Sequence, residues 1–158
     1  MSAARWRSRR RRRRRCSDQL GDWYANVLFW RSQVALFVNA TTFVPVLMPP
    51  APASGGVARF LAAMAEVIGA LGVDPRFVES ESTEMKSVVL AQTASRQVLG
   101  VMNEFTFMVE HTISAGHSDP ADLLGLSVNT IVGPISKDDG YNLVGVLQRV
   151  VATALPDS

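Results

Sequence analysis

The feature that most narrows the fold lies in residues 20–48. Two runs rich in aromatic and β-branched residues, 24–30 and 34–38, flank the polar step Arg31-Ser32-Gln33. A third run, 42–48, follows Asn39-Ala40-Thr41. Apolar runs separated by short polar breaks predict a hairpin extended into a meander. Two of the three tryptophans lie here with Tyr24, Phe29, Phe37 and Phe43. Large aromatics supply much of a core's buried area, so the core is expected at this meander. Side chains alternate along a strand, which puts Trp23, Ala25, Val27 and Phe29 on one face and Tyr24, Asn26, Leu28 and Trp30 on the other. Both rows are largely apolar, so this strand is expected to be covered on both sides. Pro45 has no N–H to donate and suits an edge strand or a bulge.

Downstream the pattern turns helical. Pro49-Pro50-Ala51-Pro52 ends the sheet as a stiff link. Val57, Phe60, Leu61, Met64, Val67, Ile68 and Leu71 form one apolar stripe, with Ser54 as the expected N-cap and Gly72 after the end. Asp74-Pro75 opens a short helix. Residues 87–92 read as a fourth strand. Ser95 caps a helix running to about Ser114, with Val98, Leu99, Met102, Phe105, Thr106, Val109 and Ile113 on its apolar side. Asp119-Pro120 starts the next helix and Gly133-Pro134 stops it; a last helix spans about Asn142 to Leu155. Strands early and helices late predict an α+β fold, a small mainly antiparallel sheet of about four strands with several helices packed on one side. A single domain is expected over residues 20–158.

Charge is divided unevenly. Residues 1–15 hold nine arginines and no acid, so the remainder carries 7 basic against 14 acidic side chains, a formal −7. An acidic body argues against a broad phosphate-binding face on the domain itself. Residues 1–19 read as a disordered basic tail. Arg9, Arg10, Arg11, Arg12, Arg13, Arg14 and Arg15 form an arm suited to nucleic acid, because guanidinium groups pair with phosphates. Seven adjacent like charges equally describe a solvated segment with no partner. No apolar stretch follows the arginines, so the run is not read as an export signal. The longest apolar region is broken by Arg31 and Gln33, far short of the ~20 residues of a membrane span. A single cysteine, Cys16, leaves no intrachain disulfide and no multi-cysteine zinc site, in keeping with a cytoplasmic location.

Four segments occur in a recognisable order: Leu20-Gly-Asp-Trp-Tyr-Ala-Asn26, Leu36-Phe-Val-Asn39, Phe43-Val-Pro-Val46 and Thr93-Ala-Ser-Arg-Gln-Val-Leu-Gly-Val-Met-Asn-Glu-Phe105. Over roughly residues 20 to 134 the chain resembles the DUF6933 family, a bacterial domain family of unknown function. The resemblance implies a small bacterial α+β domain and brings no activity, cofactor or catalytic residue. It also implies an ordered first strand, rich in apolar and basic residues, where this chain has its arginines. A missing first strand would leave a sheet edge open to pairing or dimerisation.

One polar constellation stands out: Asp22, Asn26, Thr93, Ser95, Arg96 and Asn103. Arg96 sits in the first turn of its helix, where the macrodipole disfavours a cation, which hints at an anionic ligand or an internal carboxylate such as Asp22. The alternative is a buried network that fixes sheet against helix. Glu79, Glu81 and Glu84 lack histidine and calcium-loop spacing and read as a solvated acidic face. His111 and His117 are six apart, without the four-residue spacing of two ligands on one helical face. No catalytic, cofactor-binding or metal-ligating residue is assigned. Three functions follow: a binding or interaction module acting on a protein partner or on itself, a nucleic-acid-associated protein using Arg9 to Arg15, or an enzyme or small-ligand binder around Asp22, Asn26, Arg96 and Asn103.

Overall fold

The computed structural model describes residues 4–8, 19–29, 33–52, 54–85, 88–92, 95–116, 119, 121–132 and 142–155. The strands are β1 (Ala4–Ser8), β2 (Trp23–Phe29), β3 (Gln33–Asn39), β4 (Pro45–Met48) and β5 (Val88–Gln92). The helices are α1 (Gly56–Ala70), α2 (Pro75–Glu84), α3 (Arg96–Ser114), α4 (Leu123–Val132) and α5 (Leu143–Ala154). The fold is α+β, as expected. One antiparallel sheet runs in the order β4-β3-β2-β1-β5, so the last strand returns to lie beside the first.

Among the described residues there are five strands where about four were expected. The additional strand is β1, drawn from residues assigned above to a disordered tail. Ala4 to Trp6 pair with Ala25 to Trp23, and Ala4 to Ser8 pair with Gln92 to Val88. Alternation in Ala-Arg-Trp-Arg-Ser is a strand signal that the neighbouring arginine run obscures. The edge expected to be open is therefore filled, and β1 is an interior strand. Residues 9–22 connect β1 to β2, so Arg9 to Arg15 lie between two paired strands, outside the described residues.

The core follows the meander. Trp23 is fully buried, and its ring meets Phe60 of α1 edge-on at 5.1 Å. Phe37, beside Ala25 in the β2–β3 register, meets the same Phe60 ring at 4.5 Å. Phe60 therefore holds α1 against this face of the sheet. On the opposite face of β3, Val34, Leu36 and Val38 are also buried. β3 is thus apolar and buried on both faces, so the sheet is not half-exposed at this strand.

β4 is an edge strand, one of the two settings that suit Pro45. Residues two apart in a strand point their N–H groups the same way. The Leu47 N–H donates to Ser127 Oγ of α4 at 2.9 Å, so it faces away from β3. The Pro45 nitrogen, of the same parity, also faces outward, where the lack of a hydrogen costs nothing. Ser127 in turn donates to the Leu123 carbonyl at 2.7 Å. A proline and a helix hydroxyl thus protect an edge that would otherwise offer donors to another strand.

The helix starts combine expected and corrected features. Asp74, Ser95 and Asn142 cap α2, α3 and α5 through side-chain oxygens. Ser54 does not cap α1; Gly55 occupies that position at φ 70°, a left-handed conformation a glycine adopts freely. The proline link is held by Arg59, whose guanidinium donates to the carbonyls of Pro49 and Pro52.

Candidate functional site

Of the predicted constellation, Asp22 and Asn26 lie before and within β2, and Ser95, Arg96 and Asn103 lie at the start of and within α3. Asp22 precedes β2 and offers its backbone carbonyl to Ala40 N at 2.9 Å and to Asn39 Nδ2 at 3.4 Å. Asn26, half-buried in β2, accepts from Val27 N at 2.9 Å. Ser95 accepts from Val98 N at 3.3 Å as the α3 cap, while Arg96 and Asn103 are exposed on that helix. Thr93 lies outside the described residues. No hydrogen bond among the described residues joins Asp22 or Asn26 to Ser95, Arg96 or Asn103.

The buried polar centre lies elsewhere, at Asn39. Its side chain is fully buried. Oδ1 accepts from Thr41 N at 3.1 Å, Thr42 N at 2.8 Å and Thr42 Oγ1 at 2.9 Å. Nδ2 donates to the Leu20 carbonyl at 2.8 Å as well as to Asp22. One amide thus closes the β3–β4 turn and ties it to the segment entering β2. The turn needs such support, because Phe43 adopts φ 58°, a left-handed conformation that strains a bulky residue. Asn-Ala-Thr-Thr carries the usual turn signal of side chains bonding nearby backbone; its long-range half, to Leu20, has no local signal.

Glu81 extends this centre. Rather than a solvated acidic face, the α2 carboxylate is 2% exposed. Oε1 accepts from Gln19 N at 2.9 Å and Oε2 from Leu20 N at 3.2 Å. A buried carboxylate needs such donors to offset its lost hydration. Glu79 and Glu84 remain exposed. Leu20 therefore has its N–H held by Glu81 and its carbonyl held by Asn39, which pins the chain just before β2.

A different kind of surface appears on α3. Its buried side is Val98, Val101, Met102, Phe105 and Val109. Leu99, placed on the apolar side in the sequence reading, faces outward at 36% exposure. Phe107 is 70% exposed, with its ring stacked at 6.4 Å on exposed His111. Asn103 lies between Leu99 and Phe107 on the same row of residues four apart. This row is apolar where a solvent-facing helix surface is ordinarily polar.

The described residues contain no group of three or more His, Cys, Asp or Glu side chains placed to hold a metal ion, and no helix long and apolar enough to cross a membrane. The model of one protein family, described as Domain of unknown function (DUF6933), matches residues 7–142. The chain belongs to this family. The match runs from within β1 to the cap of α5, so the Asn39 centre and the α3 surface lie inside the DUF6933 region, while Ala4, Arg5 and Trp6, which pair β1 with β2, precede it. No curated protein and no solved structure matches the chain.

Proposed function

We propose that this DUF6933 protein is a binding module, acting on a protein partner without catalysis of its own, and that the outer face of α3 is its contact surface. The observation that carries this reading is Phe107, a large aromatic left 70% exposed in a row with Leu99. Phenylalanine buries on the order of 200 Å², so covering the exposed part of this ring is favourable by roughly 3 kcal/mol. The polar groups that most resemble a site, Asn39, Thr42 and Glu81, are occupied in holding the turn and the entry to β2. That use supports a scaffold role for them.

Site-specific photo-cross-linking in the producing cell tests the proposal. A photoreactive residue in place of Asn103 is expected to give a discrete protein adduct that disappears when Phe107→Asp is added. The same probe in place of exposed Glu79 on α2 serves as control. Equal labelling at both positions refutes the proposal.

Seven consecutive arginines keep a nucleic-acid reading in view. β1 makes deletion of residues 1–15 a poor test, since it removes a central strand along with the charge. Replacing Arg9 to Arg15 with serine leaves β1 in place. On this reading the replacement abolishes a steeply salt-dependent affinity for nucleic acid; unchanged affinity rejects it.

A further inference from the structure

The exposed stripe of α3 is complementary to itself. Its members are Arg96, Leu99, Asn103, Phe107 and Glu110, all exposed. Their spacings are three, four, four and three, which reads the same in either direction about Asn103. At 3.6 residues per turn the five fall within about a quarter of the helix circumference. A two-fold axis beside Asn103 would lay a second α3 antiparallel on the first. Each Arg96 then faces a Glu110, each Leu99 faces a Phe107, and the two Asn103 amides meet at the centre. The chemistry matches at every level: cation to anion, aliphatic to aromatic, and amide to amide, which both donates and accepts.

Gly100 supplies a second, independent observation. It lies inside α3, where glycine costs about 1 kcal/mol relative to alanine. It is exposed, and a Cβ added there would meet nothing within 4 Å. In the antiparallel arrangement the partner subunit's Phe107 arrives beside Leu99, over the gap that Gly100 leaves. A glycine hole opposite an exposed aromatic knob gives close helix approach. Glu110 is engaged within its own chain; a carboxylate has about four lone-pair sites and accepts a guanidinium from the partner alongside that contact.

We therefore propose that the occupant of this surface is a second copy of the chain, paired antiparallel through α3 about Asn103. The proposal rests on the reading of α3 as a contact surface and names its partner. The pairing is antiparallel and symmetric, so both Arg96–Glu110 pairs form at once, at the two ends of an apolar centre. Salt weakens these rim pairs and leaves the Leu99–Phe107 contacts in place.

Sedimentation equilibrium of the full chain tests this. Wild type is expected to be dimeric. Arg96→Glu sets like charges against each other at both ends and is expected to raise the dimer dissociation constant about tenfold or more. Adding Glu110→Arg restores opposite charges and should bring the constant back. Arg96 and Glu110 lie 14 residues apart on one helix, roughly 21 Å, so no contact within one chain can produce that rescue. Gly100→Leu fills the hole while favouring the helix, and is expected to give a folded monomer. A wild-type chain monomeric up to roughly 1 mM, a dimer untouched by Gly100→Leu, or a charge reversal without rescue overturns the proposal. A monomeric wild type whose Asn103 probe still captures a protein of another mass, in a Phe107-dependent way, rejects self-pairing alone. Absence of any adduct rejects the contact surface as well.

Discussion

Replacing Asn39 with aspartate keeps the shape of the buried centre and its acceptor oxygen but changes its donors. Wild-type Nδ2 donates to Leu20 at 2.8 Å and to Asp22 at 3.4 Å. Below the ordinary carboxylate pKa of about 3.9 the new carboxyl is protonated in both the folded and the unfolded chain. Its one O–H serves Leu20, and the longer bond to Asp22 is lost, at about 1 kcal/mol. As pH rises the unfolded chain ionises first. The folded chain resists, because the position is fully buried and two carbonyl oxygens point at one side of it, an effect that the three donors from Thr41 and Thr42 on the other oxygen reduce without reversing. The folded-state pKa is raised, so the variant is most stable at low pH. It loses about 1.4 kcal/mol per pH unit above roughly pH 4 until the folded group ionises. A shift of about 1–2 units, below what a fully buried carboxyl without donors reaches, puts the pH-dependent loss near ~2 kcal/mol at neutral pH. Against a typical total of 5–15 kcal/mol this is substantial, and at ~2–4 °C per kcal/mol it lowers Tm by roughly 6–12 °C with the lost donor included. Urea unfolding of both proteins between about pH 4 and pH 7 measures it. A stability gap that stays constant across that range refutes the reasoning, since it means the folded chain holds the carboxylate as readily as water does.

Three further outcomes follow from the same geometry. Glu81→Gln sets an amide NH₂ against one of the Gln19 and Leu20 N–H groups and should cost about 2–3 kcal/mol in urea unfolding, with faster hydrogen exchange at those two amides; unchanged exchange rejects the tether. Ser127→Ala removes the acceptor for the Leu47 N–H and should cost about 1–2 kcal/mol, with exchange at Leu47 rising most. Hydrogen bonds from the Arg76 side chain and then from its backbone hold the Asp74 carboxyl below its ordinary value of 3.8. A lowered folded-state pKa means the contribution is complete above 3.8 and fades as pH falls through the lowered value, so exchange at the start of α2 should quicken only in that acid range.

The meander and the helices were legible because they are local. Period-2 rows in residues 23–38, the Ser95 and Asp74 caps and the Pro45 edge signal each depend on residues close in sequence. The β1 strand was not legible, because a five-residue alternation beside seven arginines carries less signal than the charge run it adjoins. Of the predicted polar set, Ser95 was recognisable as a cap from its own helix, whereas the exposure of Arg96 and Asn103 depends on how α3 is rotated against the sheet. That rotation is chosen by Val98, Met102, Phe105 and Val109, which bury together. It also turns Leu99 outward, although its hydrophobicity alone placed it inside.

The amino-acid sequence by itself determined the α+β class, the order of the elements from β2 onward, and the self-mirrored spacing about Asn103, since spacing along one helix is a property of the chain. Tertiary structure decided which of three nearby glutamates is buried, which hydroxyl covers the sheet edge, and which strand fills the gap between β2 and β5. Glu81 reaches Gln19 across 62 residues, and Ser127 reaches Leu47 across 80. Such partners are selected by the burial of whole faces, through which polar groups left without water must find donors and acceptors wherever the packed core has carried them.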